Sequence, residues 1–131
     1  QADLFLIKRA GETARYFTSI AADPLLPPDK YLKQNMIIKF GRESLKVIET
    51  PGHTPGSVSF YSPDALFSGD TLFKQGMGPT QYSYCSETAL LNSIKNKLFK
   101  LPDKTIVYPG HGEETTIGEE KQALLNSAEK V

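Results

Sequence analysis

Cysteine and histidine are scarce in this chain of 131 residues, with one of the first and two of the second. The single cysteine, Cys85, excludes an internal disulfide, which fits a reducing, cytoplasmic setting. A surplus of either charge is missing too. Fifteen Lys plus Arg balance fifteen Asp plus Glu. Such a chain has no strong electrostatic footprint for nucleic acid or for an acidic membrane surface. No apolar run approaches the ~20 residues that a membrane-spanning helix needs. Internal repeats and low-complexity tracts are absent as well. The first residue is Gln1 rather than Met, so any targeting segment ahead of it is invisible here. What is present is an ordinary globular composition, 39% hydrophobic and 23% charged, at a length that predicts one domain over residues 1–131.

The apolar pattern predicts strands first and helices later. Leu4 to Lys8 is a short apolar run bounded by charges and reads as a strand. Gly11 to Ala22 reads as a short helix, and Pro24, Pro27 and Pro28 mark a loop. Met36–Phe40 and Ser44–Thr50, joined at Gly41, read as a hairpin. Its second arm alternates apolar and polar residues, as a strand with one buried face does. Ser57–Tyr61 and Ala65–Gly69 follow as strands, and Gly76–Ser86 as a loop. Ser86 then caps a helix from Glu87 to about Lys100, with Leu90, Leu91, Ile94 and Leu98 on one face. Thr105–Tyr108 is a fifth strand. Thr116 and Glu119 have capping-box spacing and open a last helix to about Glu129. The order fits an α/β fold with helices over a sheet. So few strands leave edges, and one sheet face, without cover.

Both histidines fall in Pro-Gly-His turns just past a strand. His53 lies in Pro51-Gly52-His53-Thr54-Pro55-Gly56, and His111 in Pro109-Gly110-His111-Gly112. Asp70 follows the strand Ala65–Gly69. Taken singly, each has a bland reading: an incidental surface turn, or a capping carboxylate. Taken together they share one placement, beyond a strand end and beside a glycine. If those strands lie in one sheet with a common polarity, the three side chains gather along one edge. Two imidazoles and a carboxylate are ordinary ligands for zinc, iron or manganese. Other candidates are weaker. Cys85 has no basic or histidine neighbour in sequence to favour a thiolate. Ser57 and Ser68 lie in no nucleophile elbow, and Gly76-Met77-Gly78 lacks the pattern of a phosphate loop.

Three motifs in order, Thr50-Pro-Gly-His-Thr-Pro-Gly-Ser57, Phe67-Ser-Gly-Asp-Thr-Leu-Phe73 and Val107-Tyr-Pro-Gly-His-Gly through Glu120, resemble the metallo-β-lactamase superfamily. The branch they are most similar to is the glyoxalase II-like, or hydroxyacylglutathione hydrolase-like, hydrolases. The resemblance implies an αββα sandwich with a two-metal site, usually zinc, at one edge. It implies that His53 binds the first metal, that Asp70 bridges both and that His111 binds the second. It further implies that water activated between the metals attacks a small-molecule thioester.

This chain departs from the family pattern in three places. The family's His-x-His-x-Asp-His loop is not in this sequence, because both histidines are already in use. The expectation is therefore a C-terminal part of the sandwich that begins after that loop, inactive or weak alone. Pro79 stands where the family usually has a basic residue after the glycine matching Gly78, which weakens recognition of an anionic glutathione-type group. With the sequence ending at Val131, the helical glutathione-recognition domain of the longer enzymes is expected to be absent. Two alternatives are an iron-dependent sulfur dioxygenase on the same fold, and a non-enzymatic binding module with a decayed metal site. The expected partners are the thioester and, through an exposed sheet face, a second copy of the chain; neither nucleic acid nor membrane is expected.

Overall fold

The structure, a computed structural model, describes residues 1–128. The chain divides into two compact units, Gln1–Leu32 and the segment from Lys33 onward.

In the first unit the expected strand at Leu4–Lys8 is instead the start of a helix, α1 (Leu4–Thr18). A five-residue apolar run does not distinguish strand from helix. Its continuation does: Ile7, Ala10, Gly11 and Ala14 are half-shielded, while Lys8, Arg9, Glu12 and Thr13 are exposed. That is a period of 3.6, not 2. The helix expected from Gly11 to Ala22 is the second half of the same element and stops at Thr18. Ser19 takes a left-handed conformation there, and its N–H donates to the Arg15 carbonyl at 3.0 Å.

The second unit is built on a six-stranded sheet. Its strands are β1 (Ile37–Phe40), β2 (Glu43–Glu49), β3 (Val58–Ser62), β4 (Ala65–Gly69), β7 (Ile106–Pro109) and β8 (Thr115–Thr116), in that spatial order. A separate hairpin pairs β5 (Leu72–Phe73) with β6 (Gly76–Met77). Neither β8 nor this hairpin is apparent from the sequence, because two-residue strands carry no period. Helix α2 (Glu87–Asn96) starts at Ser86, whose hydroxyl accepts from the Ala89 N–H at 3.2 Å. A tighter turn, Leu98–Lys100, then replaces the α-helix expected to run on to Lys100. Helix α3 (Ile117–Ala128) opens with the expected capping box: Glu119 N–H donates to the Thr116 hydroxyl, and Thr116 N–H to the Glu119 carboxylate. Glu129 lies outside the described residues.

β2 and β3 are antiparallel, β3 and β4 are antiparallel, and β4 and β7 are parallel. So β2, β4 and β7 point the same way, the common polarity that the edge arrangement requires. One face of the sheet carries the core. Ile48, Leu66 and Val107 from the strands pack with Leu72, with Leu90 and Ile94 of α2, with Leu98 and with Ile117. On the other face Val47, Phe60, Phe67 and Tyr108 form a row across four strands. Phe67 and Tyr108 stack at 5.5 Å between ring centroids and both remain exposed.

Candidate metal centre

His53, Asp70 and His111 leave the sheet at the C-terminal ends of β2, β4 and β7, and the structure brings all three together. Asp70 is the hinge of the group. Its Oδ1 accepts from His111 Nδ1 at 2.7 Å, and its Oδ2 lies 3.5 Å from His53 Nε2. The parallel pairing of β4 with β7 places Gly69 beside Pro109, and Gly110 N–H donates to the Gly69 carbonyl at 2.8 Å. That contact carries the His111 turn to Asp70.

Two glycines, Gly78 and Gly110, pass close to Asp70. A Cβ on Gly78 would lie 1.8 Å from the Asp70 carbonyl oxygen, and one on Gly110 would lie 2.6 Å from Asp70 Oδ1. At Gly78 the obstacle is backbone, so no side chain fits without moving it; at Gly110 it is the tip of the Asp70 side chain, which would have to turn aside.

His53 is tied down from several directions. Ser93 Oγ of α2 donates to the Pro51 carbonyl at 2.8 Å, and Ser86 N–H to the Gly52 carbonyl at 2.8 Å. Lys97 Nζ donates to the Glu49 carbonyl at the end of β2. Cys85 Sγ donates to the His53 carbonyl at 3.1 Å. The ring itself is held by the Pro79 carbonyl, 2.7 Å from Nδ1. A carbonyl only accepts, so Nδ1 carries the proton, and in the neutral ring Nε2 presents its lone pair. That lone pair faces an Asp70 oxygen. Two acceptors at this distance repel unless a proton or a cation lies between them.

A metal fits that gap in donor type and in spacing. Two donors bound to one zinc at about 2.0–2.2 Å in tetrahedral array lie roughly 3.4 Å apart. The Nδ1–carbonyl bond is also the usual support for a ligating histidine, because it sets the tautomer. His111 differs. Its Nδ1 is taken by Asp70, leaving Nε2 on a ring that is 77% exposed, against 19% for His53 and 27% for Asp70. Phe73 meets the His111 ring edge-on, with centroids 6.3 Å apart. Among the described residues no group of three or more His, Cys, Asp or Glu side chains is disposed to hold a metal as it stands. The three side chains are brought to one edge of the sheet, with Asp70 between the two histidines.

Several contributors escape sequence reasoning. The Pro79 carbonyl and the Cys85 thiol act through single contacts that no residue pattern signals. Behind the site runs a buried chain of hydroxyls: Thr71 Oγ1 donates to Thr50 Oγ1 at 3.3 Å, which lies 3.1 Å from Ser59 Oγ. Thr50 and Thr71 both lie in the motifs, but a threonine in a motif does not signal a buried hydroxyl contact. At the rim Lys74 donates to Glu113 at 2.7 Å. That hydrogen bond, with the attraction between the charges, raises the Lys74 ammonium above its usual value and lowers the Glu113 carboxyl below its own.

Comparison with known proteins agrees with this geometry. The model of the metallo-beta-lactamase superfamily matches residues 3–111. The chain is 36% identical over 129 residues to hydroxyacylglutathione hydrolase GloC of Haemophilus influenzae, covering 95% of this chain and 61% of that protein. Among solved structures, TTHA1623 in a di-iron-bound form matches with a TM-score of 0.80 and 37% identity, over 93% of this chain and 60% of the other. ETHE1 from Myxococcus xanthus matches with a TM-score of 0.68 and 36% identity, over 70% of this chain and 43% of the other. The chain spans about three fifths of the length of the first two. No helix among the described residues is long and apolar enough to cross a membrane. A same-direction set of strands that gathers two histidines around one aspartate, matched along most of its length by one family's model, leaves a single conclusion: this chain belongs to the metallo-beta-lactamase superfamily.

Proposed function

We propose that the chain carries one side of the site of a metal-dependent thioester hydrolase. The observation behind this reading is the His53–Asp70 pair, with a tautomer-fixed imidazole nitrogen facing a carboxylate across a cation-sized gap. The likeness to hydroxyacylglutathione hydrolase GloC supports the substrate class. His53 would hold one cation through Nε2, Asp70 would lie between two, and His111 would hold the second through Nε2. When bound, such cations acidify a coordinated water and polarise the scissile carbonyl. The chain's own residues supply placement and charge. Pro79 fixes the His53 ring, and the Asp70 carboxylate would offset the repulsion between two such cations. Three protein donors shared by two cations leave each one short, so the chain alone should hold metal weakly.

The test is zinc bound at equilibrium in zinc-containing buffer, with hydrolysis of a hydroxyacylglutathione followed in parallel. Bound zinc that disappears in His53→Ala and in His111→Ala supports the reading. Zinc content unaffected by either substitution overturns it. A second reading, an iron-dependent sulfur dioxygenase, draws on the relative solved in a di-iron-bound form and on the likeness to ETHE1. Oxygen uptake by the iron-loaded chain with a persulfide, without thioester cleavage, would favour it.

A further inference from the structure

The hairpin Leu72–Met77 occupies a sensitive place. It leaves Asp70 at one end and enters Gly78-Pro79 at the other, and Pro79 is the residue whose carbonyl fixes His53. Two strands of two residues each cannot hold themselves in water. Something outside the hairpin has to fix it.

Leu72 anchors its base in the core, where Ser68 Oγ donates to the Leu72 carbonyl at 2.8 Å, and a buried carboxylate braces its tip. Glu120, in the first turn of α3, is 5% exposed. Its Oε2 accepts from the Gln75 N–H at the hairpin tip at 2.9 Å. Its Oε1 accepts from Thr115 Oγ1 of β8 at 2.6 Å. Gln75 adopts a left-handed conformation, φ 57°, that a non-glycine residue rarely takes without support. Burying a carboxylate is costly unless its oxygens are hydrogen-bonded, and both oxygens of Glu120 are, one of them by the left-handed tip itself. The same hairpin carries Phe73, set edge-on to His111, and Lys74, paired with Glu113 beyond the His111 turn.

We propose that Glu120 is a positioning residue for the His53–Asp70–His111 cluster, acting through Gln75 and the hairpin. The role in metal binding rests on the function proposed above; the role in ordering His53 does not. Glu120 touches neither histidine. It holds the hairpin tip so that the hairpin's two ends deliver Asp70 and the Pro79 carbonyl in register.

The experiment compares the unaltered chain with Glu120→Leu and Glu120→Gln. Glutamine can still accept from Gln75 N–H and donate to a rotated Thr115 hydroxyl, so it preserves the brace while removing the charge. Two readouts are needed: the His53 tautomer in the metal-free protein, by long-range nitrogen–proton NMR, and zinc affinity by competition with a chelator. Glu120→Leu is expected to convert His53 from a single Nδ1–H tautomer to a mixture and to weaken zinc about tenfold or more. Glu120→Gln is expected to keep the tautomer and stay within about twofold. If Glu120→Leu loses stability in urea yet keeps the His53 tautomer, Glu120 is merely structural and the proposal fails. It fails equally if Glu120→Gln matches Glu120→Leu, because charge rather than bracing would then be the cause. Should Glu120→Leu not fold, Glu120→Asp, whose carboxylate is one methylene short of the Gln75 N–H, takes its place with the same criteria. An unaltered chain that takes up no zinc overturns the metal reading, while the tautomer comparison still decides the role of Glu120.

Discussion

Pro51-Gly52-His53 and Pro109-Gly110-His111 are the same tripeptide in the same setting, just past the end of a strand. Their surroundings are not the same. The first turn lies against the start of α2, and its histidine is mostly shielded and held through Nδ1 by a backbone carbonyl. The second turn is held at Gly110, and its histidine stands largely in water, hydrogen-bonded to Asp70. One imidazole is oriented by the scaffold, the other by the carboxylate it shares. A local motif therefore sets where a ligand-type residue leaves the sheet. The segments that pack around it decide how rigidly it is presented.

Gly78→Ala should disturb the segment that holds the His53 ring and have the largest effect. The new methyl cannot coexist with the Asp70 carbonyl, so the backbone must shift, at a cost of about 1–3 kcal/mol. Urea unfolding would measure the loss. Unchanged stability would mean that the close approach relaxes freely.

Truncating each histidine sharpens the comparison. His53→Ala leaves the Pro79 carbonyl without its partner and should cost about 1 kcal/mol. His111→Ala removes a mostly exposed ring and should stay within about 0.5 kcal/mol. Equal losses in thermal or urea unfolding would show that shielding does not separate the two turns.

The smallest effect is expected at the rim. Glu113 is lowered by Lys74, so its contribution is present above the usual carboxylate range and fades as pH falls through the lowered value. Lys74 is raised, so its contribution is present below the usual ammonium value and fades as pH rises through the raised one. Both groups face solvent, and salt screens the pair. Glu113→Gln should therefore change stability only slightly, with the difference shrinking in acid and at high salt. A pH-independent difference in urea midpoints would assign the effect to something other than the charges.

Much of the second unit was legible from residue order. Alternation in Ser44–Thr50, the cap at Ser86 and the Thr116–Glu119 box each report a local preference, and each element forms close to where it was expected. Leu4–Lys8 shows the limit. Its apolar run is compatible with strand or helix, and only the residues beyond it restore the helical period. The strands β5, β6 and β8 were invisible for a related reason, since a pair of residues becomes a strand only when a neighbour offers a ladder.

The sequence by itself determined which residues have ligand chemistry and that each follows a strand. Side-chain type and turn propensity are properties of a few neighbouring residues. The tertiary structure decided that β2, β4 and β7 share a direction and that Asp70 sits between the histidines. It also decided that Pro79 and Glu120, 26 and 45 residues away from the His53 and Gln75 they hold, set the geometry. Such contacts depend on where distant segments are packed, and nothing in a short stretch of chain encodes that position.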